Sequence, residues 1–214
     1  MKKLAIFDFD GTLFDSVKDV VICFNKALTA NDFPTLTDEE YFERLGGNID
    51  EMVSLILKDR NTPENIEIIK DAYEKEYSKC PKDNTRPFTG VHEVLRKLQE
   101  SGVFLTVNSN RKTDSIRRYV DQYFSDIDFS AIEGHNPGYP SKPSPCAVNK
   151  MMNSLNVSKE EAIYIGDSST DIRTAQNAEI ECIIVRWGYG NEKDLKNDYI
   201  SGVICEPSEI LNYF

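Results

Sequence analysis

The chain has 214 residues, of which 40% are hydrophobic and 29% are charged. This balance is ordinary for a globular protein and excludes collagen-like, mucin-like and wholly disordered chains. Acidic side chains outnumber basic ones by 36 to 25, which gives a formal net charge of −11. We therefore expect no nucleic-acid partner, because affinity for a phosphate backbone comes from cationic side chains.

The five cysteines are scattered and odd in number, and no two of them form a Cys-x-x-Cys pair. This usage argues against a disulfide framework and a zinc site, and it predicts a reducing, cytoplasmic location. The longest early apolar stretch, Leu4–Phe7, is too short for the hydrophobic part of a signal peptide. We also expect no membrane partner, because no apolar run approaches the roughly 18 residues that a membrane span needs.

Short apolar runs predict the strands of a buried sheet. They are Leu4–Phe7, Val103–Val107, Phe129–Ile132 (the weakest), Ala162–Ile165 and Cys182–Val185. Continuous rather than alternating apolar character is typical of parallel strands that are covered on both faces. Helical stripes such as Val91, Val94, Leu95 and Leu98 lie between the runs. The alternation predicts an α/β fold with a doubly wound, Rossmann-like parallel sheet.

The stretch from about residue 16 to residue 86 departs from this alternation, because it contains helical stripes and no convincing strand. Thr37 followed by Glu40 forms a capping-box signature, and Thr62-Pro63 is a typical helix start. We predict a helical cap at 16–86, inserted into an α/β core made of 1–15 and 87–214. An insertion after the first strand lies at the carboxyl end of the sheet, where open α/β folds bind ligands.

Acidic side chains follow two of the predicted strands. Asp8 and Asp10 come after the first strand, and Asp167 and Asp171 come after Ala162–Ile165. Parallel strands have their carboxyl ends at one edge of the sheet, so we expect all four carboxylates to converge. Such a set, with neither histidine nor cysteine, suits Mg²⁺.

Two further residues fit the same edge. Ser109 follows the second predicted strand at an expected helix start, where a hydroxyl and backbone N–H groups can contact an anion. Lys142 lies in a proline-stiffened loop and offers one ammonium group. Four aspartates, one magnesium ion and one lysine still leave an excess negative charge. A protonated Asp10 would remove that excess and is what a general acid for an alcohol leaving group requires.

The sequence resembles the haloacid dehalogenase superfamily, whose four ordered motifs match four segments of this chain. They are Asp8-Phe9-Asp10-Gly11-Thr12-Leu13, Ser109-Asn110, Lys142-Pro143 and Gly166-Asp167-Ser168-Ser169-Thr170-Asp171. The helical insertion resembles the C1-type cap, and the tail from Val185 to Gly190 is similar to the phosphoglycolate phosphatase-like branch. The resemblance implies a Mg²⁺-dependent phosphatase that acts on a small phosphorylated metabolite, with phosphoglycolate as one option.

The resemblance also implies a role for each matching residue. Asp8 would be the nucleophile that forms an aspartyl-phosphate, and Asp10 would be the general acid and base. Mg²⁺ would be held by Asp8, the backbone carbonyl of Asp10 and Asp167, with Asp171 beside the metal or orienting Lys142. Ser109 and Lys142 would bind the phosphoryl oxygens. Thr12 and Asn110, within the same motifs, are expected to contact the substrate.

The choice of substrate is expected to depend on the cap. Gly46 lies in a Gly-Gly turn between two predicted cap helices, and Arg44 beside it can pair with a substrate carboxylate. The motifs leave open a sugar phosphomutase on the same scaffold and, less compatible with Asp10 and a large helical insertion, a non-enzymatic phospho-acceptor domain. Both a monomer and a homodimer remain possible.

Overall fold

The computed structural model describes residues 1–42, 44 and 48–214. It divides the chain into two compact units, one formed by Met1–Phe14 together with Pro87–Phe214 and the other by Asp15–Arg86. These units divide the chain at residues 14/15 and 86/87, and a cap domain at 16–86 inserted into a core of 1–15 and 87–214 stays a prediction. Two further strands, Phe14–Asp15 and Arg86–Pro87, form a separate two-stranded sheet.

The larger unit contains a six-stranded sheet in which the paired strands run parallel. In chain order the strands are β1 (Leu4–Phe7), β2 (Phe104–Lys112), β3 (Phe129–His135), β4 (Ala162–Gly166), β5 (Glu181–Val185) and β6 (Gly202–Ile204). Across the sheet they lie in the order β3-β2-β1-β4-β5-β6. The predicted doubly wound α/β fold is confirmed, and the chain changes direction across the sheet at β1.

Both faces of the sheet are buried, which explains the continuous apolar runs. Ala5 and Phe7 of β1 pack into a hydrophobic cluster on one face, and Leu4 and Ile6 pack into a second cluster on the other. Each cluster includes residues of two helices, so four helices cover the sheet. They are α5 (Val91–Glu100) and α6 (Thr113–Tyr123) in the first cluster, and α7 (Cys146–Leu155) and α8 (Ser169–Ala178) in the second.

The structure contains elements that the sequence analysis did not predict. Strand β2 continues past Val107 to Lys112, because the chain keeps pairing with β3 as far as His135. Helix α7 follows the proline-rich loop and buries Val148 and Met151. Strand β6 has only three residues and lies at the edge of the sheet, so its apolar run is too short to recognise.

The smaller unit is helical, as expected. Its helices are α1 (Val17–Ala30), α2 (Asp38–Phe42), α3 (Ile49–Leu57) and α4 (Pro63–Lys79). The capping box before α2 is present: Thr37 Oγ1 accepts from the backbone N–H of Glu40 at 3.3 Å, and the Glu40 carboxylate accepts from the backbone N–H of Thr37 at 3.1 Å. Thr62 caps α4 by accepting from the N–H of Asn65 at 3.2 Å. Phe24 and Tyr73 stack in the core of this unit at 3.8 Å.

A buried carboxylate ties α1 to the last residues of the helical unit. Asp19 is 1% exposed. It accepts hydrogen bonds from the backbone and side-chain nitrogens of Asn84 at 3.1 and 2.8 Å, and from the hydroxyl of Thr85 at 2.7 Å. Three donors satisfy this charge, as a buried carboxylate requires.

Among the helices in the described part of the chain, none combines the length and the hydrophobicity needed to cross a lipid bilayer.

Candidate active site

The site forms where β1 and β4 end side by side. Phe7 and Ile165 are in register, and the backbone N–H of Asp8 donates to the carbonyl of Ile165 at 2.9 Å, one residue beyond β1. Asp167 follows the last residue of β4. This edge is the topological switch point of the doubly wound sheet, at which such folds bind ligands.

Three of the four predicted acidic residues converge there. Asp8, Asp167 and Asp171 each have a carboxylate oxygen within 4.8 Å of the others. The three residues are 6%, 3% and 0% exposed. Burial of three like charges at this spacing is unfavourable unless cations or protons offset the charge.

Lys142 supplies one cation to this cluster. Its Nζ atom lies 2.7 Å from Asp8 Oδ1 and 2.7 Å from Asp171 Oδ1. The ammonium group also lies 5.9 Å from the centroid of the Tyr164 ring, which is fully buried. Although Lys142 comes from a loop, its side chain is a buried part of the acidic site.

The buried surroundings of the cluster raise the pKa values of Asp8 and Asp167. Burial, followed by the charge of Asp171, raises the pKa of Asp8 to about 7, and Lys142 only partly opposes this rise. Burial and the charges of Asp171 and Asp8 also raise the pKa of Asp167. Burial by itself lowers the pKa of Lys142, but the neighbouring carboxylates outweigh it and raise that pKa well above its usual value. The lysine is therefore charged, and its single positive charge offsets the three carboxylates only in part.

The donor set fits a divalent cation with oxygen ligands. When all are ionised, the three carboxylates and Lys142 leave two excess negative charges, which one dication balances. Oxygen ligands of this kind are those that hard cations prefer. The raised pKa values of Asp8 and Asp167 have burial as their first cause and the charge of Asp171 as their second, and a bound cation would oppose both effects.

The carboxylate of Asp167 is fixed by glycine-rich backbone. The N–H of Tyr189 donates to Asp167 Oδ2 at 2.6 Å. A Cβ atom on Gly11 would lie 2.2 Å from the same oxygen, and one on Gly188 would lie 2.3 Å from Asp167 Cβ. Only glycine leaves room for Asp167 at these two positions, and Gly11 has a positive φ of 83° as well.

Asp171 is oriented by several donors. Its Oδ1 accepts from Lys142, and its Oδ2 accepts from the backbone N–H groups of Asp167 and Ser168, both at 3.1 Å, and from the Ser168 hydroxyl at 2.9 Å. Asp171 thus caps the start of α8 and holds the ammonium group of Lys142. These contacts support a role of Asp171 in orienting the lysine, and its alternative position beside the metal stays a prediction.

Asp10 lies apart from the three-carboxylate group. Its side chain pairs with Arg111, which donates from Nε to Oδ2 at 2.9 Å and from Nη2 to Oδ1 at 2.6 Å. The expectation that four carboxylates converge is therefore met by three side chains. The expected metal contact of Asp10 was through its backbone carbonyl, and that contact stays a prediction.

Ser109 differs from its sequence-based description, whereas the substrate contact expected of Asn110 stays a prediction. The prediction that Ser109 begins a helix is wrong, because both residues lie inside β2 and α6 starts only at Thr113. Ser109 is buried, and its Oγ accepts from the N–H of Arg111 at 3.2 Å. The amide of Asn110 accepts from the backbone N–H of Lys142 at 2.9 Å and donates to the Lys142 carbonyl at 3.4 Å, which holds the lysine's loop.

The remaining predicted substrate contacts have mixed outcomes. Thr12 is 1% exposed, and its Oγ1 has no hydrogen-bond partner within the described chain. Its carbonyl accepts from Trp187 Nε1 at 3.1 Å. Arg44 belongs to the helical unit, where its guanidinium contacts the Glu40 carbonyl. Gly46 lies outside the described residues, so its role stays a prediction, as do the substrate contacts of Thr12 and Arg44.

Sequence reasoning missed two groups of the site. Arg111 follows the Ser109-Asn110 motif directly, and the Tyr189 N–H follows β5, whose carboxyl end lies at the same edge of the sheet. The glycines on either side of Tyr189 were a usable signal, because such spacing permits close backbone approach. Nothing in the sequence links Arg111 to Asp10, which lies 101 positions earlier.

Comparison with known proteins agrees with this geometry. The profile of the haloacid dehalogenase-like hydrolases matches residues 5–185. The phosphoglycolate phosphatase of Aquifex aeolicus is 28% identical over 209 residues, covering 98% of this chain and 95% of that protein. The phosphoglycolate phosphatase of Vibrio cholerae is 25% identical over 218 residues, covering 98% and 96%.

Solved structures show the same fold. A candidate phosphoglycolate phosphatase from Lactobacillus delbrueckii subsp. bulgaricus superposes with a TM-score of 0.91 at 25% identity, covering 100% of this chain and 98% of its own. A haloacid dehalogenase-like family hydrolase from Streptococcus pneumoniae gives a TM-score of 0.89 at 21% identity, with coverage of 100% and 98%. The second likeness concerns the fold alone.

Proposed function

The chain belongs to the haloacid dehalogenase-like hydrolase family, and from this premise we propose that it is a Mg²⁺-dependent phosphatase of small phosphate monoesters. The observation that carries the proposal is the buried group of Asp8, Asp167 and Asp171 around Lys142 at the carboxyl end of β1. This group combines a nucleophile, an oxygen-rich cation site and a fixed ammonium group. Those are the parts that phosphoryl transfer requires.

Asp8 and Asp167 would hold the Mg²⁺ ion, together with the backbone carbonyl of Asp10. When bound, the ion supplies positive charge that lets a phosphate dianion approach an acidic site. It would also favour the ionised form of Asp8, whose pKa is otherwise raised to about 7. Lys142 and the hydroxyl of Ser109 would bind the phosphoryl oxygens, and Asp171 would keep Lys142 in place.

Two displacements at phosphorus would complete the reaction. An oxygen of the Asp8 carboxylate attacks phosphorus, the bond to the alcohol oxygen breaks, and that oxygen takes a proton from Asp10. Asp10 then takes a proton from water, and the resulting hydroxide attacks the aspartyl-phosphate. The second step releases inorganic phosphate and regenerates the Asp8 carboxylate.

A panel of phosphorylated metabolites tests the reaction class. Phosphate release should require Mg²⁺ and stop with EDTA. Asp8→Asn should fold normally and lose turnover by several orders of magnitude, whereas Asp126→Asn, at an exposed carboxylate paired with His92, should keep it. Full activity of Asp8→Asn would contradict the assignment of the nucleophile.

A second variant tests proton transfer. Asp10→Asn should lower kcat/KM by about 10²–10⁴ on an alkyl phosphate, because the alkoxide leaves poorly without a proton. The loss in kcat/KM, which reports the first displacement, should be under about tenfold on 4-nitrophenyl phosphate, whose leaving group is stable as an anion. Equal losses on both substrates would contradict acid catalysis by Asp10.

We propose phosphoglycolate as the first substrate to test, because curated relatives along nearly the whole chain are phosphoglycolate phosphatases. Arg44 in the helical unit would then pair with the glycolate carboxylate. Arg44→Met should raise KM for phosphoglycolate on the order of tenfold and leave KM for 4-nitrophenyl phosphate unchanged.

The alternative function is a sugar phosphomutase. It would be shown if the protein isomerised a hexose 1-phosphate in the presence of a bisphosphate primer and released no phosphate.

A further inference from the structure

The side chain of Arg111 is a part of the site that the proposed reaction does not use. It is buried beside Asp10, with 8% of its side chain exposed against 31% for Asp10. Its Nε and Nη2 atoms donate to the two different oxygens of the carboxylate. A two-point contact of this kind fixes the plane of a carboxylate as well as its position, which a single point charge cannot do.

The guanidinium is itself held in place. Its third nitrogen, Nη1, lies 3.4 Å from Ser115 Oγ on α6. Its central carbon lies 5.3 Å from the centroid of the Phe9 ring and 5.7 Å from that of Tyr119. A buried guanidinium with aromatic neighbours is a rigid support, unlike an exposed ion pair that solvent and side-chain entropy weaken.

The backbone of Arg111 reaches a second site residue. Its N–H donates to Ser109 Oγ at 3.2 Å, so the hydroxyl accepts on this side and its own hydrogen is available in another direction. One residue therefore contacts both Asp10 and Ser109. Of these two contacts, only the one with Asp10 is made by the side chain and can be removed by substitution.

We propose that Arg111 is a positioning residue that fixes the Asp10 carboxylate for proton transfer. The inference rests on the proposed phosphatase function, because it concerns the group assigned there as general acid and base. Removal of the guanidinium keeps the Asp10 carboxyl group and lets it rotate. The loss should therefore appear in the steps in which Asp10 gives or takes a proton, and not in substrate binding.

Two substitutions and a double-mutant cycle test the inference. Arg111→Met should lower kcat on the alkyl phosphate that the wild type hydrolyses fastest by about ten- to a hundredfold, with KM changed less than about threefold. The loss in kcat/KM on 4-nitrophenyl phosphate should be under about threefold, because kcat/KM reports the first displacement, in which this leaving group needs no proton. Arg111→Lys should recover part of kcat. In the Asp10→Asn background, Arg111→Met should lower kcat less than about twofold, because the group it positions is already gone.

Arg118→Met is the matched control, because Arg118 lies exposed on α6 and donates to the Asp114 carbonyl of its own helix. It should keep wild-type kinetics.

Additive losses in the double mutant, or equal losses on both substrates, would overturn the inference. If thermal unfolding shows that Arg111→Met does not fold, the leaving-group dependence of Arg111→Lys decides in the same way. If the wild type shows no phosphatase turnover, both the proposed function and this inference are wrong. If the wild type is active and the Arg111 variants have the same kinetics as the wild type, only the inference is wrong.

Discussion

Lys142 and Asp8 form a buried ion pair with Nζ and Oδ1 2.7 Å apart, although 134 positions separate them in the chain. Only 4% of the lysine side chain and 9% of the aspartate side chain are exposed. The same ammonium group contacts Asp171 at 2.7 Å, so one cation is shared between two carboxylates. The stability of the folded protein and the affinity of this site for a cation are therefore linked.

Removal of the shared cation should destabilise the protein. Lys142→Met keeps most of the aliphatic stem and leaves Asp8 and Asp171 buried without their common partner. We expect the free energy of unfolding to fall by about 3–5 kcal/mol, measured by urea denaturation at neutral pH without Mg²⁺. Lys150→Met, at a lysine that is 58% exposed and paired with Glu133, should cost less than about 1 kcal/mol. Similar costs for the two variants would contradict the importance of the buried pair.

The raised pKa of Asp8 predicts how stability depends on pH in the metal-free protein. The unfolded chain loses this proton near the ordinary pKa of about 4, whereas the folded protein keeps it up to about 7. Between these values the folded state binds more protons, so stability is highest at the acidic end and falls as the pH rises towards 7. Above 7 this group causes no further change.

Asp8→Asn removes that titration, so its unfolding free energy should lack this part of the decline. We expect the difference between wild type and Asp8→Asn to change by roughly 1–4 kcal/mol across the window, measured by urea denaturation in EDTA. Saturating Mg²⁺ should reduce the decline in the wild type, because a bound cation favours the carboxylate. Parallel pH profiles of the two proteins in EDTA would contradict the elevated pKa.

Asp167→Asn should have opposite effects on metal binding and on metal-free stability. Asparagine keeps an oxygen to accept from the Tyr189 N–H but loses the negative charge. Mg²⁺ affinity by titration calorimetry should fall at least about tenfold. In EDTA the variant should unfold at a higher temperature than the wild type, because the change removes a buried carboxyl group that burial, Asp171 and Asp8 disfavour as an anion. Unchanged Mg²⁺ affinity would exclude Asp167 as a ligand.

Two glycines that share a positive φ allow steric crowding by an added Cβ atom to be distinguished from strain of the backbone. Gly11 and Gly138 both have φ of 83°, but a Cβ on Gly138 meets nothing within 4 Å, whereas one on Gly11 would lie 2.2 Å from Asp167 Oδ2. The left-handed conformation should lower the free energy of unfolding of each alanine variant by about 1–2 kcal/mol. Only Gly11→Ala should also lose Mg²⁺ affinity and turnover, measured by calorimetry and phosphate release. Equal kinetics in the two variants would show that Gly11 does not make room for Asp167.

Several parts of the fold and site could be predicted from local patterns. The runs Leu4–Phe7 and Ala162–Ile165 indicated parallel strands because both faces of such strands are buried, and the structure pairs these two runs side by side. Asp8 and Asp167 directly follow them, so their meeting is a consequence of parallel pairing. The short edge strand Gly202–Ile204 was missed, because it is partly exposed and has too few apolar residues to give a pattern.

The amino-acid order by itself determined five strands of the sheet, the helical character of the inserted segment and the edge at which Asp8 and Asp167 meet, since these depend on burial periodicity and on the common direction of parallel strands. Only the tertiary structure decided which side chains are in contact there. Asp10 pairs with Arg111, and Lys142 contacts both Asp8 and Asp171. These pairings join positions far apart in the chain and depend on side-chain conformation and burial, which no local pattern of residues specifies.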